Sequence, residues 1–223
     1  MRMKFEGKAM QNKMPIYDSH QPETKSATGT DNKTFSFKVV DCLSDMMKVV
    51  AIRSAVFLAE QECPYDEEFD GNDFCALHII GYAGNEPASC IRARFFADFA
   101  KLERLAVRHD YRNTSLSFRT VRAAIQLSRK KGYQNIYGHA QDRLVNFWSR
   151  FGAEPQPKRC DLVFSDFSYT EMLLVAEPHH DPITLASDPY TIIRSEGKWD
   201  KPGVLENSSE RKVTSPIRNQ KAA

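Results

Sequence analysis

A turn of small and polar residues between a short apolar strand and a long amphipathic helix is the first feature of this chain that could do chemistry. The strand is predicted over Leu102–Val107 and the helix over Leu116–Lys131, ending at Gly132, a favourable residue just past a helix C-terminus. The first N–H groups of a helix have no partner within it, and the helix dipole is positive at that end. The turn therefore predicts an anion-binding site. Its residues are Arg112, Asn113, Thr114 and Ser115.

A second candidate region is the acidic loop over residues 60–73, EQECPYDEEFDGND, which holds seven acids and no Lys or Arg. A solvated loop is one interpretation. A negative rim over a pocket for a cationic acceptor, such as an amine, is another. Calcium is a third, but the acids lack the ligand order of an EF-hand. We predict no metal site.

These regions must be positioned by alternating strands and helices. One strand–helix–strand crossover surrounds the anion site, and the other connections suit hairpins. The fold class predicted is α/β (α+β), with a mostly antiparallel central sheet flanked by helices. The predicted strands are residues 34–40, 75–83, 88–96, 102–107, 135–140, 161–164 and 169–176, and the helices are residues 44–58, 116–131 and 142–151.

Length and charge limit the class of protein. The 223 residues suit one domain with tails: a flexible N-terminal arm over 1–33, the domain over 34–177, and a Pro-rich extension over 178–223 that packs on the domain or on a partner chain, as in a homodimer. A net charge of +2 does not support nucleic acid or an anionic membrane as partner. No apolar run is long enough to span a bilayer. Five scattered cysteines and no secretory signal favour a cytoplasmic protein with reduced thiols.

Three stretches, in this order, resemble the GNAT acyltransferase superfamily (Gcn5-related N-acetyltransferases), in particular its ElaA-like branch. They are AIRSAVFLAEQECPYDEEFDGNDFCALHI, LERLAVRHDYRNTSLS and HAQDRLVNFWSRFGAEP. The likeness covers about residues 35–176. It implies an acyl-CoA-dependent N-acyltransferase, and most simply an N-acetyltransferase. Such an enzyme moves the acyl group of acetyl-CoA, or another acyl-CoA, to the amine of a small acceptor by direct attack.

The resemblance also implies a donor site. Two central strands, over residues 102–107 and 135–140, splay apart and hold the pantetheine arm of CoA between them. The N–H groups at the start of the following helix hold the pyrophosphate. The donor-binding residues implied are Leu105, Val107, Arg112, Asn113, Thr114, Ser115, Leu116, Ser117, Gln141 and Trp148.

The turn departs from the family pattern at Asn113, Ser115 and Ser117, where the family usually has glycine or another small residue. Glycine allows positive φ and close approach of a phosphate. Asparagine tolerates the left-handed conformation, and serine is small. Two interpretations stay open: a working site with added hydroxyl donors, or a site altered to another donor or to none.

Trp148 is the other departure, because it stands where the family often has a Tyr that protonates the leaving thiolate. Its indole donates a hydrogen bond but has no useful acidity. We expect Trp148 to wall the pantetheine channel, with water as the proton source for the thiolate.

Glu103 is the first candidate for the general base. Alternation along its strand places it on the same face as Leu105, beside the expected donor carbonyl. The competing interpretation is a salt bridge to one of three cations, Arg92, Arg94 or Arg104.

Two histidines are further candidates for the base because their pKa suits that role. His78 follows the acidic loop at the start of a strand, and His139 lies on the second splayed strand. A hydrogen-bonded structural role competes with the catalytic role for each of them.

The first stretch implies acceptor contacts from Arg53, Phe57, Asp70 and Asp73. One alternative function is that of a relative of the acyl-homoserine-lactone synthases, which share the fold, an Arg-x-x-x-Phe helix, paired aspartates and a Glu/Arg strand. The candidates here are Arg53, Phe57, Asp70, Asp73, Arg94, Glu103 and Arg104. A further alternative is a non-catalytic binding domain that kept the fold, indicated by the missing glycines and the missing Tyr.

Overall fold

The structure, a computed structural model, describes residues 34–214. In this part of the chain, eight strands form one sheet in the order β1-β2-β3-β4-β5-β8-β6, and β7 pairs with β8. Of the strand pairs within residues 34–214, only β4–β5 is parallel, so the predicted, mostly antiparallel α/β fold is confirmed. The strands are β1 (Phe35–Val39), β2 (Leu77–Ala83), β3 (Glu86–Phe95), β4 (Phe99–Val107), β5 (Asn135–Gln141), β6 (Glu154–Pro155), β7 (Leu162–Phe164) and β8 (Phe167–Val175).

Among the described residues, five α-helices accompany the sheet: α1 (Leu43–Arg53), α2 (Tyr65–Glu68), α3 (Leu116–Lys130), α4 (Val145–Ser149) and α5 (Pro189–Ile193). The predicted first helix continues past α1 as a π-helix over Ser54–Glu60. A π-helix widens the turn and is frequent at functional sites. Short 3₁₀ turns lie at Asp73–Cys75, His109–Tyr111, Asp142–Leu144 and Glu206–Ser209.

The sheet buries apolar side chains on both faces, because alternate strand residues point to opposite sides. On one face, residues such as Ile91 and Leu102 pack with Val121 of α3. On the other face, Ile80 and Cys90 pack beneath α1. We name these the α3-side core and the α1-side core.

The central strands β4 and β5 separate after a short contact. They pair over three positions only, from Phe99 with Asn135 to Lys101 with Tyr137. Beyond these, β4 stays paired with β3 as far as Val107, and β5 stays paired with β8 along its whole length. The splay predicted from the family resemblance is therefore present, and a gap opens between the second halves of the two strands.

A β-bulge in β4 faces this gap. The register with β3 shifts between Cys90 and Arg92, and Arg104 has a positive φ of 55°. A bulge adds one residue to a strand and interrupts the alternation of its side chains. Leu105 packs against the α3-side core, whereas Glu103 pairs with Arg92 on the other face. The expectation that Glu103 and Leu105 share a face is therefore wrong.

The chain after β8 returns over the domain. The backbone N–H of Ile183 donates to the Lys130 carbonyl at the end of α3, and Lys131 pairs with Glu196. Trp199 is 7% exposed and belongs to the α3-side core. The predicted arm over 1–33 and the residues after 214 lie outside the described part of the chain, and the three-part domain division stays a prediction.

Within residues 34–214, no helix combines the length and the apolar character that crossing a membrane would require.

Candidate active site

The gap between β4 and β5 forms an open pocket of about 420 Å³. This is the size of a typical small-molecule site. The pocket lies where the bulge, the π-helix and the β7–β8 turn converge. Its lining residues are Phe57, Gln61, Glu67, Asp70, Lys101, Leu102, Glu103, Arg104, Leu105, His139, Gln141, Arg143, Leu144, Trp148, Phe164, Ser165 and Tyr169.

A buried ion-pair network holds the acidic loop against the sheet. Arg53 at the end of α1 has its Nε 2.5 Å from Glu68 and its Nη1 2.5 Å from Asp73. Arg92 of β3 donates to the two carboxylate oxygens of Asp70 at 2.8 and 2.7 Å and to Asp73 at 2.9 Å. Both arginines are 0% exposed. These arginines therefore neutralise three of the seven acids of the loop, Glu68, Asp70 and Asp73, whereas Glu62, Asp66 and Glu67 are exposed.

Only part of the predicted acceptor set reaches the pocket. Phe57, on the π-helix, and Asp70 line it, whereas Arg53 and Asp73 lie in the network behind it. Burial raises the pKa of Asp73, but hydrogen bonds from Arg53 and Arg92 outweigh it and hold that pKa below its usual range. Asp73 thus stays ionised as a structural partner of two arginines.

Glu103 lines the pocket, but cations occupy its carboxylate. Arg92 Nε donates to Oε1 at 3.0 Å, and Lys101 Nζ lies 2.8 Å from Oε2. Arg94 Nη1 lies 3.8 Å from Oε1. Of the three salt-bridge partners considered, Arg92 and Arg94 are present, and Arg104 turns away to Glu68 and Asp70.

His78 is placed away from the pocket lining. It is 3% exposed, and its Nε2 lies 3.2 Å from the Asp73 carbonyl oxygen. Its buried Nδ1 has no partner within residues 34–214. Burial lowers the pKa of this imidazole, so it is neutral at pH 7. The geometry favours the structural role that competes with the catalytic one.

The turn before α3 has the shape that the glycine pattern would produce. Asn113 has φ 61°, in the left-handed region, and Ser115 is the N-cap residue of α3. The Thr114 hydroxyl accepts the Leu116 N–H at 3.2 Å. The Ser117 N–H lies in the first helical turn, where helix geometry provides no acceptor. Asparagine therefore supplies the positive φ, and donors remain at the helix start.

Arg112 holds this turn in place. Its Nε donates to the Val107 carbonyl at 3.1 Å, and its Nη2 pairs with Glu60 at the end of the π-helix. The guanidinium ties the end of β4 to the π-helix, so both flank the start of α3.

The far wall of the pocket combines an amide and aromatic rings. Gln141 Nε2 donates to the Tyr169 hydroxyl at 3.3 Å, while its Oε1 is buried with no partner among residues 34–214. Tyr169 stacks on Phe164 with ring centroids 3.7 Å apart. Trp148 packs edge-on against Phe147 and lines both this pocket and the narrow apolar cleft beneath it.

A chain of polar side chains crosses β5 and β8 at the pocket. His139 lines the pocket, and its Nε2 lies 2.8 Å from the Tyr137 hydroxyl. That hydroxyl donates to Glu171, which also pairs with Arg159.

Sequence reasoning missed several of these residues. Tyr137 was missed although it stands two residues before the candidate His139 in a predicted strand, so their shared face could have been read from the sequence. Tyr169 and Arg143 gave no such signal, because only the β5–β8 register and the connection from β5 to α4 bring them to the pocket. Glu171 gave none either, because the same register brings it to the Tyr137 hydroxyl.

Asp41, Cys42 and Asp45, none of which lines the pocket, place their ligand atoms within 4.8 Å of one another. Lys38 Nζ lies 3.0 Å from Asp41 and 2.5 Å from Asp45, and Lys48 lies 2.9 Å from Asp45. Lysines thus neutralise both carboxylates. The expectation of no metal site stays a prediction.

Comparisons with known proteins agree with this geometry. The family model of the acetyltransferase (GNAT) family matches residues 46–153. A protein of Bacillus subtilis (strain 168), provisionally named as an acetyltransferase, is 30% identical over 118 residues, which are 52% of this chain and 80% of that protein.

Solved structures share the fold. Escherichia coli ElaA aligns with a TM-score of 0.56 and 20% identity, over 63% of this chain and 99% of that one. A Bacillus subtilis acetyltransferase in complex with CoA aligns with a TM-score of 0.52 and 12% identity, over 65% of this chain and all of that one. With the family model and the Bacillus subtilis relative, these findings lead to one conclusion: the chain is an acyltransferase that belongs to the acetyltransferase (GNAT) family.

Proposed function

We propose that this protein transfers an acyl group, and most simply an acetyl group, from acyl-CoA to the amine of a small acceptor by direct attack. The observation that carries this proposal is the gap between β4 and β5, which opens beside the bulge at Arg104 and ends near the start of α3. A flexible arm lying in the gap can pair with strand edges, as the pantetheine of CoA does in the proposed complex. Leu105 and Val107 offer backbone groups along this edge.

The two ends of the gap suit the two ends of the donor. The pyrophosphate would be bound by N–H groups of the turn and first helical residues over 113–117, beside the positive end of the α3 dipole. The unpartnered Oε1 of Gln141 would accept a pantetheine amide N–H, since a buried carbonyl without a partner is costly. Trp148 would wall the channel.

The leaving thiolate needs a proton or tolerates its absence. Trp148 supplies no acid. Tyr169 also lines the pocket, and burial raises its pKa, so its hydroxyl is protonated at neutral pH. We therefore assign Tyr169, together with water, as the candidate proton source.

The acceptor meets a lining of mixed charge. Three acids, Glu67, Asp70 and Glu103, face three cations, Lys101, Arg104 and Arg143. Because these charges balance, they support an acceptor amine that is uncharged when it attacks. They do not support selection of a cationic acceptor by a net negative charge of the pocket.

Isothermal titration with acetyl-CoA, followed by thiol release with a panel of primary amines, tests the function. We expect saturable binding and turnover of at least one amine. Titration with adenosine 3′-phosphate 5′-diphosphate, which keeps the pyrophosphate but lacks the pantetheine arm, separates the contribution of the turn from that of the gap. No heat and no thermal stabilisation at millimolar acetyl-CoA would contradict the proposal, and would favour the non-catalytic alternative.

The acyl-homoserine-lactone alternative has one specific observation in its favour. Six of its seven candidate residues lie in or beside one ion-pair network, from Arg53–Asp73 to Arg94–Glu103 and Arg104–Asp70. Acylated homoserine lactone in extracts of expressing cultures would support it.

The cytoplasmic location and the homodimer stay predictions. Light scattering tests the homodimer.

A further inference from the structure

We propose that His139 is the general base that removes the proton from the attacking amine, and that Tyr137 and Glu171 position it. This inference rests on the proposed amine transfer. It replaces Glu103 and His78 as the leading candidates for the base.

The hydrogen-bond chain determines which imidazole nitrogen is free. Glu171 is ionised, because Arg159 and then Tyr137 lower its pKa to about 2, so it can only accept. The single hydroxyl proton of Tyr137 therefore goes to Glu171. The same oxygen, 2.8 Å from His139 Nε2, must then accept the Nε2–H. A neutral His139 is consequently the Nε2–H tautomer, and Nδ1 carries the lone pair.

The hydroxyl of Tyr137 is a stable part of this chain. Burial first, and the hydrogen bond to Glu171 second, raise the pKa of Tyr137 to about 12. The hydroxyl is thus protonated across the working range of pH. Within residues 34–214, the hydrogen bond of the His139 ring is made by Nε2, which leaves Nδ1 available to a proton.

His139 lies at the level where the strands separate. Lys101 and Tyr137 form the last β4–β5 pair, and counting two residues onward on each strand brings Glu103 and His139 to one level. Parallel neighbours at one level point to the same face. His139 therefore lies across the opening from Glu103. Glu103 is the residue that precedes the bulge at Arg104. Cations pair with the Glu103 carboxylate, whereas within residues 34–214 the free Nδ1 of His139 contacts none.

The surroundings of His139 keep it neutral. Burial is the main cause of its lowered pKa, and Lys101 of β4 and Arg159 act in the same direction. Glu103 of β4 and Glu171 of β8 act against them. The imidazole is therefore neutral at pH 7 and can accept a proton.

The step balances with these groups alone. The nitrogen lone pair of the amine forms the C–N bond to the thioester carbonyl carbon. One N–H proton moves to Nδ1 of His139. The C–S bond breaks, and its electron pair stays on sulfur as thiolate. The imidazolium returns its proton to solvent.

The test compares His139→Gln with His180→Gln, a control at an exposed histidine on the C-terminal segment. Positioned bases contribute about 10²–10⁴-fold in rate. We expect His139→Gln to lower kcat/KM with acetyl-CoA and the best amine at least 100-fold and to bind acetyl-CoA as the wild type does. The acidic limb of kcat/KM that is due to His139, which its lowered pKa places below the usual imidazole range, should disappear, while the limb due to the amine remains. His180→Gln should retain both limbs.

A second readout does not need turnover. Nitrogen-15 NMR of the histidines should show the Nε2–H tautomer for His139, and Tyr137→Phe should disturb it and lower kcat/KM about tenfold. An Nδ1–H tautomer in the wild type would overturn the proposal. Turnover that survives in His139→Gln at every pH would also overturn the role of His139 as base, but it would leave the proposed amine transfer standing. If acetyl-CoA binds but the wild type turns over no amine, both the proposed amine transfer and the role of His139 are overturned.

Discussion

The two edges of β4 differ in what holds them. Its β3 edge is paired as far as Val107, interrupted only by the bulge, and is supported by the buried Arg92 and its carboxylates. Its β5 edge is paired over three positions and is then open. An open edge leaves backbone groups unpaired, which a ligand can use but which also loosens a sheet. The ion-pair network at the β3 edge thus holds β4 in place and allows its β5 edge to stay unpaired at the gap.

The largest effect is expected from breaking the supported edge. Arg92→Met leaves Asp70, Asp73 and Glu103 without their shared cation in a buried setting. Removing one partner of a buried ion pair costs about 3–5 kcal/mol. Arg94→Met is the matched control, because Arg94 is partly exposed and reaches Glu103 at only 3.8 Å. Urea unfolding measures both variants; equal losses would show that the network does not support the edge.

A smaller effect, with a defined pH dependence, is expected at Asp70. Burial raises its pKa, but hydrogen bonds from Arg92 outweigh this and hold the pKa well below the usual value near 3.9. A depressed pKa means that the pairing stabilises the fold above pH 4 and that this stabilisation is lost as the pH falls. We expect Asp70→Asn to lower the free energy of unfolding by about 1–3 kcal/mol at pH 7.

The same comparison at pH 3 completes this test, because the difference between wild type and Asp70→Asn should shrink there. Glu86→Gln, at an exposed ion pair with Arg108, should change little at either pH. A difference that stays constant from pH 7 to pH 3 would contradict a depressed pKa at Asp70.

The sequence predicts the supported edge better than the open one. Apolar alternation revealed β3 and β4, and the apolar face and Gly132 revealed α3, because burial on one face leaves a periodic pattern. The bulge at Arg104 left no such mark, since an Arg with positive φ has no sequence signature. That single extra residue misplaced Glu103 relative to Leu105.

The candidate site was predicted in part for a similar reason. Local signals identified the turn at Asn113 and the strand that carries His139. Contacts across strands were not readable: the bond of Tyr137 to Glu171 depends on the β5–β8 register, and the pairing of Asp70 with Arg92 depends on how the acidic loop folds back. The π-helix has the apolar spacing of an ordinary helix, so its wider turn near Phe57 was also hidden.

At the open edge, Asn113→Asp tests the donor turn. A carboxylate at the start of α3 would repel a bound pyrophosphate, and charges near a helix N-terminus count for about 0.3–1 kcal/mol, or more at short range. We expect acetyl-CoA affinity to fall about five- to tenfold, by titration calorimetry, with the fall smaller at high salt. Asp110→Asn, in the preceding 3₁₀ turn, is the control of opposite charge change. Unchanged affinity of Asn113→Asp would show that the pyrophosphate binds elsewhere.

The smallest effect is expected from Gln141→Leu, which separates binding from stability. The ligand-free protein loses a long hydrogen bond of 3.3 Å to Tyr169 but also loses a buried carbonyl without a partner, so its free energy of unfolding should change by less than about 1 kcal/mol. If the carbonyl serves the donor, acetyl-CoA affinity should fall about three- to fivefold, while Gln134→Leu, at an exposed position before β5, leaves it unchanged. A stability loss without any affinity loss would assign Gln141 to the wall of the gap alone.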